Sequence, residues 1–413
     1  IKQAEELIEQ GRYAEAKKLY NQLVTYSPKD AGYNYKLGAC VLFTESDKQA
    51  GMKYLEYAVT QPDVAPEAYY YLGKGYHYNY KFNEAAIYYS RFKAKASPKE
   101  LKRIPVDQDL RAANNGFKVL KNVSEPRVFE RKTLSAEEFY LSYRVPEGVK
   151  LLKLPSFLQS DEDKSMEFSP VTAIQKGSDT IIVAGYAKSE EQTDLFRVIT
   201  DAEGNVTERL PITELNSEFD EGYPYFDKAE NVLYFSSKGY NSMGGFDLFR
   251  AKFNKASGRF GAPENMDYAY NTPDDDFLYI PTGDGKAYFS SSRNNDAGNV
   301  TVFLVDSASS GLTQALLVGN FTAENGNVAT ITVEDSETGE KLPAFETRAK
   351  DGFYMSKVKT NHRYRFLVEP QNSEIVHAGI VEIPEVNTLK PLKQEMYIVK
   401  DGDREKLVIK NLF

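Results

Sequence analysis

Only three histidines, His77, His362 and His377, and one cysteine, Cys40, stand among 413 residues. The histidines fall in different segments, so a histidine-rich metal site or a Ser-His-Asp relay has little to be built from. Cys40, in the apolar run Ala39-Cys40-Val41-Leu42-Phe43, reads as a small buried hydrophobe. No Gly-x-Ser-x-Gly elbow, His-Glu-x-x-His helix or phosphate loop occurs. The acidic run Asp274-Asp275-Asp276 is the sharpest enzyme-like feature, because separated carboxylates can cleave glycosides. Its place before Phe277-Leu278-Tyr279 reads instead as a turn entering a strand. The same run, or Asp201 to Asn205, could offer oxygens to calcium, but neither has the full loop pattern. A non-enzyme is expected, with no catalytic residue, no cofactor and no metal site.

Two other constellations bear on binding. Asp194 and Arg197 return as Asp247 and Arg250, 53 residues on. The carboxylate is expected to fix a hairpin and the arginine to cover a sheet face; the alternative is a rim that meets a partner. The stronger candidate is a tyrosine-rich helical groove that includes Tyr35, Phe43, Tyr70, Lys74, His77 and Tyr78. Aromatic residues with a few polar groups are what peptide-holding surfaces use. The competing reading buries several of these residues where the helices pack on the downstream propeller.

The elements that carry the groove are marked by repetition. Ala16, Ala50 and Ala85 recur at 34 and 35 residues, each followed four places later by Tyr20, Tyr54 and Tyr89, and Pro28, Pro62 and Pro98 close the units. The later units add Leu37-Gly38 and Leu72-Gly73. This resembles a tetratricopeptide array, and with a capping helix that restarts after Pro105 it is expected to span 1–120. From there period-two strands take over. Asp194-Leu195-Phe196-Arg197 returns as Asp247-Leu248-Phe249-Arg250, and Tyr234-Phe235-Ser236-Ser237 as Tyr288-Phe289-Ser290-Ser291, 54 residues later. The segment 221–250 resembles the TolB-type repeat, which implies a β-propeller over 121–312. Ala329 to Glu340 and Asp351 to Glu369 resemble the carboxypeptidase regulatory-like domain, a transthyretin-type β-sandwich, over 313–400. The expected fold is therefore multidomain α and β: an N-terminal α-solenoid, a central β-propeller and a C-terminal transthyretin-like β-sandwich.

Composition narrows the function classes. A chain of 413 residues exceeds one hydrophobic core, and 41% hydrophobic with 27% charged residues fits a globular protein. The net charge of -9 has no basic block, which disfavours nucleic acid as a partner. The 29 tyrosines and 24 phenylalanines, without tryptophan, suit half-buried strand faces and interaction surfaces. No stretch approaches the roughly 20 apolar residues of a membrane span.

The order of these textures resembles the OmpA-family envelope proteins of Bacteroidota, including PorE-like components of the type IX secretion system. That resemblance implies a non-enzymatic periplasmic scaffold at the outer membrane, docking other secretion-system or envelope proteins. It also implies that 401–413 opens an OmpA-type domain that grips peptidoglycan, and that residues upstream of Ile1 could carry a lipid anchor. The alternative function is a carbohydrate-active or carbohydrate-binding propeller.

Overall fold

The structure, a computed structural model, describes residues 1–119, 126–187, 192–268, 270–306, 314–336, 338–342, 344–384, 392–402 and 404–413. The expected domain junctions at 120–121 and 312–313 lie outside the described residues. Two units result: the first comprises Ile1–Val119, Arg127–Met266 and Tyr270–Ser307, and the second is mainly Ala308–Phe413.

The first unit begins with helices α1 (Lys2–Glu9), α2 (Tyr13–Tyr26), α3 (Ala31–Thr44), α4 (Gln49–Val59), α5 (Glu67–Tyr78), α6 (Phe82–Lys95), α7 (Pro98–Arg103) and α8 (Val106–Val119). Local chemistry sets their ends. The Asp30 carboxylate accepts the Tyr33 N–H at 2.9 Å to start α3, and a Ser97–Glu100 capping box starts α7. At the helix crossings Ala16 with Tyr20 and Ala85 with Tyr89 are fully buried. In the second pair the crossing residue is Gly51, not the expected Ala50, which is only half-buried. A Cβ on Gly51 would lie 2.9 Å from the Gly38 carbonyl oxygen, and Leu55, fully buried, takes the place expected of Tyr54.

Four small antiparallel sheets complete this unit. Val149–Lys153 pairs with Val171–Gln175 alone, and Thr180–Tyr186, Thr193–Thr200 and Val206–Pro211 form a three-stranded sheet. Glu221–Asp227, Val232–Ser237, Asp247–Asn254 and Arg259–Phe260 lie in order in another, with Glu264–Asn265 beside Asp247–Asn254. In the last, Asp276–Pro281, Lys286–Ser291 and Asn299–Asp306 are joined by Val128–Ser135, which arrives from far upstream.

The second unit pairs two four-stranded sheets around one apolar core that includes Phe321, Ile331, Tyr364 and Phe366. One sheet runs Phe353–Lys359, Gln314–Thr322, Leu392–Asp401, Arg404–Asn411, with the middle two parallel. The other runs Phe345–Glu346, Ala329–Asp335, His362–Pro370, His377–Ile383.

The expected fold class is thereby corrected. The described chain is mainly β, 37% strand against 26% helix, in six separate small sheets with short helices gathered at the N-terminus, and a β-propeller is not shown. The repeats in the sequence fix hairpins. They do not fix equal blades, since one copy holds two strands and another takes its outer strand from residues 128–135. In the second unit Arg404–Asn411 is hydrogen-bonded along Leu392–Asp401 as the outer strand of its sheet.

The repeated Tyr-Phe-Ser-Ser motif has a definite chemical purpose. Its last serine faces a carboxylate across the ladder: Ser237 opposite Glu221 and Ser291 opposite Asp276. Glu221 accepts the Ser237 hydroxyl at 2.6 Å and the Ser217 N–H and hydroxyl at 3.0 and 2.7 Å. Asp276 accepts the Thr272 N–H and hydroxyl at 2.6 and 2.7 Å and pairs with Arg293 at 2.6 Å. Asp247 likewise accepts the Met243 N–H at 3.1 Å and the Ser242 hydroxyl at 3.2 Å. Each carboxylate thus closes the loop before its own strand.

Candidate functional site

Where the helices of the first unit meet its sheets, a cleft of about 400 Å³ remains. One wall is α3, α5 and α8; the other is built from the loops around Lys238–Gly245, Pro273–Asp275 and Ser292–Asn299. The walls are bolted together. The Ser46 N–H donates to Asp296 at 2.8 Å and the Ala297 N–H to the Thr44 carbonyl at 3.1 Å. Asn115 donates to the Ser242 carbonyl at 3.1 Å, and Arg111 meets Glu218 at 2.6 Å.

Of the six residues expected on the groove, Phe43, Tyr70, Lys74 and Tyr78 line this cleft. Tyr35 and His77 do not; both are buried, at 4% and 3% exposure. The Tyr35 hydroxyl donates to Glu67 at 3.1 Å inside the helical stack. His77 is a bolt. Its Nε2 lies 2.7 Å from the Met243 carbonyl oxygen and its Nδ1 3.1 Å from the Tyr89 hydroxyl. A carbonyl only accepts, so Nε2 carries the proton and Nδ1 accepts from Tyr89. Burial, reinforced by nearby Lys74, drives the His77 pKa down to about 4 and keeps the ring neutral.

The residues that sequence reasoning did not place here are charged: Lys48, Lys238, Asp109, Asp274, Asp275 and Asp296. Most are engaged. Asp109 accepts the Tyr70 hydroxyl at 2.6 Å and pairs with Lys74 at 3.0 Å. Burial pushes the Lys74 ammonium down, but Asp109 outweighs it and the net shift is upward. Asp275 accepts the Phe246 N–H at 2.9 Å, and Lys238 pairs with Asp220 at 2.8 Å. Of the four cleft aspartates, Asp274 is the one whose carboxylate accepts no hydrogen bond among the described residues. Burial raises its pKa to about 6, with Lys48 opposing and Asp276 and Asp275 adding to the rise. Lys48, whose ammonium donates to the Leu42 carbonyl at 2.8 Å and lies 5.4 Å from the centre of the Tyr78 ring, is lowered by burial against the pull of Asp274 and Asp296.

This arrangement suits binding. Glycoside cleavage needs two free carboxylates facing one bond, and three of the four here are tied to neighbouring groups. The one sequence signal for this wall was the run Asp274-Asp275-Asp276, whose members take three different roles: free carboxylate, loop anchor and strand clamp. Asp201 closes its own turn by accepting the Asn205 N–H at 2.7 Å. Asp247 fixes the hairpin beneath Met243, and Arg250 pairs with Glu264 at 3.1 Å on the surface.

No known protein family and no curated protein matches the chain. Among solved structures, one described as a "putative cell adhesion protein" of Bacteroides fragilis is 11% identical over 70% of this chain and 97% of its own. Its TM-score of 0.20 carries no argument about fold or function.

Proposed function

We propose that the chain is a non-enzymatic adaptor of a bacterial envelope machine, and that the cleft between its helices and sheets holds a short segment of a partner protein. One observation carries the reading: the cleft is rigidly walled, partly aromatic and furnished with one uncommitted carboxylate, Asp274. Its volume, about 400 Å³, matches a few residues of extended peptide. Phe43 and Tyr78 supply flat apolar contact, and Asp274 favours a basic side chain on the segment. The order of sequence textures supports a periplasmic scaffold at the outer membrane, docking other secretion-system or envelope proteins. Peptidoglycan contact would belong to an OmpA-type domain outside this sequence.

The test is partner recovery from envelope extracts with Tyr78→Ala and Asp274→Asn in the otherwise intact chain. Recovery should fall at least about tenfold for a central aromatic and its charged neighbour. Because Asp274 ionises near pH 6, binding to a basic segment should strengthen between pH 5 and 7 and lose that dependence in Asp274→Asn. Undiminished recovery would remove the cleft from the reading, and retention of soluble glycan in place of protein would favour the carbohydrate alternative.

A further inference from the structure

A second cavity, of about 350 Å³, opens where three sheets of the first unit meet, and nothing in the adaptor reading uses it. Its floor is apolar: Ile181 and Ile182 on one strand, and a triangle of Phe226, Phe253 and Phe260. The three rings stand 5.1 to 6.1 Å apart, mostly edge to face, so they pack one another into a fixed wall. A hydrogen bond from Gln175 to the Phe226 carbonyl, at 2.5 Å, ties the neighbouring sheet to that wall.

Over the wall lies Arg197, whose guanidinium carbon is 5.7 Å from the Phe253 ring centre and 5.2 Å from that of Phe260. Cation–π contact of this kind holds the guanidinium over the aromatic wall, where its N–H donors can serve a ligand's carboxylate. Among the described residues its ion-pair partner is Glu214, 3.5 Å away, which already accepts the Phe260 N–H at 3.1 Å while standing 4.0 Å from Arg259. Among the described residues Arg197 has no other hydrogen-bond partner. Lys228, exposed, is the second charged residue of the lining, and among the described residues no carboxylate lines the cavity. In a chain with 60 acidic and 51 basic residues, a largely apolar cavity whose charged lining residues are both cations departs from the general surface.

We propose that this cavity binds an apolar group bearing a carboxylate, with the ring or chain against Phe226, Phe253 and Phe260 and the carboxylate on the Arg197 fork. Two sources share that chemistry, the C-terminal residue of a polypeptide and a free aromatic or aliphatic acid. Bidentate guanidinium recognition supplies the selectivity, because an amide of the same shape cannot reproduce the charge.

The experiment titrates the full chain, by calorimetry or ligand-observed NMR, with N-acetylphenylalanine, its carboxamide, 3-phenylpropionate and an acetylated tripeptide ending in phenylalanine. The acid should bind at least about tenfold tighter than the carboxamide. Arg197→Gln should abolish that preference, Lys228→Gln on the exposed rim should weaken it a few-fold, and both should leave weak carboxamide binding in place. A tripeptide tighter than 3-phenylpropionate assigns the site to polypeptide C-termini, and the reverse assigns it to free acids. Equal affinity for acid and carboxamide in the unmodified chain, or no binding of either at millimolar concentration, overturns the proposal whatever the variants do.

Discussion

In the first unit the strand starts are fastened by buried carboxylates. Glu221, Asp247 and Asp276 are each fully buried and each accept the backbone N–H four residues back. Asp163 is fully buried too, taking the Ser160 and Tyr186 N–H groups at 3.0 and 2.7 Å and facing Arg209 at 2.9 Å. In the second unit apolar alternation does most of this work, with one buried carboxylate, Asp335, at a strand end accepting the Thr338 N–H at 3.1 Å. Ala329–Asp335 turns every second residue inward, and Phe321, Val333, Phe366 and Val368 are sealed completely. A polar or charged group in the interior costs desolvation that only a full set of partners offsets, so a clamp specifies one loop geometry and rejects others. Apolar burial stabilises without dictating loops. The sheets that shape both cavities are the clamped ones, which fits a need for exact loop placement.

The largest effects should come from breaking one member on each side. Asp276→Ala takes away the carboxylate that pairs with Arg293 and accepts the Thr272 N–H, and should cost about 3–5 kcal/mol, with lost hydrogen-exchange protection in peptides from 221–306. Phe366→Ala opens a hole in the apolar core and should cost about 3–5 kcal/mol, read in peptides from 329–383. The conservative Asp276→Asn should recover far less than Phe366→Leu does, because charge pairing is lost while apolar volume is largely kept. Equal recovery would erase the distinction between the two kinds of interior.

The next contrast is in pH. Burial pushes the Glu221 carboxyl up to about 7, against the pull of the Ser237 and Ser217 hydrogen bonds. The folded chain therefore holds that proton up to about pH 7, while the unfolded chain releases it near the ordinary value of 4.5. Stability from this group is full below pH 4.5 and is lost as pH rises to 7, by on the order of 3 kcal/mol. Denaturant unfolding should show the unmodified chain gaining that amount of stability relative to Glu221→Gln as pH falls from 7 to 4.5. A pH-independent difference would mean the carboxyl is ionised in the fold.

Local patterns are legible in the sequence where one residue type can satisfy them. Ala16 with Tyr20 and Ala85 with Tyr89 sit at buried crossings as their spacing demands. The middle pair slips by one because Ala50-Gly51 are both small and Tyr54-Leu55 both apolar, so spacing alone cannot choose between them. Phe43, Tyr70, Lys74 and Tyr78 are readable as groove residues from helical period. The facing wall is not, since its bolt from Ser46 to Asp296 spans 250 residues and leaves no local trace. The same limit explains the sheets: Tyr-Phe-Ser-Ser announces a clamp, but nothing in 128–135 announces that it pairs with 299–306.

The smallest expected effect sharpens the helical side of the comparison. A Cβ on Gly73 would lie 2.6 and 2.7 Å from the Cδ1 and Cε1 atoms of Tyr89, a fully buried ring whose hydroxyl is held by His77 at 3.1 Å. Gly73→Ala gains about 1 kcal/mol in helix propensity but should lose about 2–3 to overpacking, a net loss of about 1–2 kcal/mol. Gly75 lies on the same helix, and its nearest obstacle is the sulfur of Met52, the movable end of an unbranched chain. Gly75→Ala should therefore be nearly neutral, within about 0.5 kcal/mol. Thermal melting of the two variants separates a rigid ring from a yielding thioether, and equal losses would show that Tyr89 is free to move despite its bond to His77.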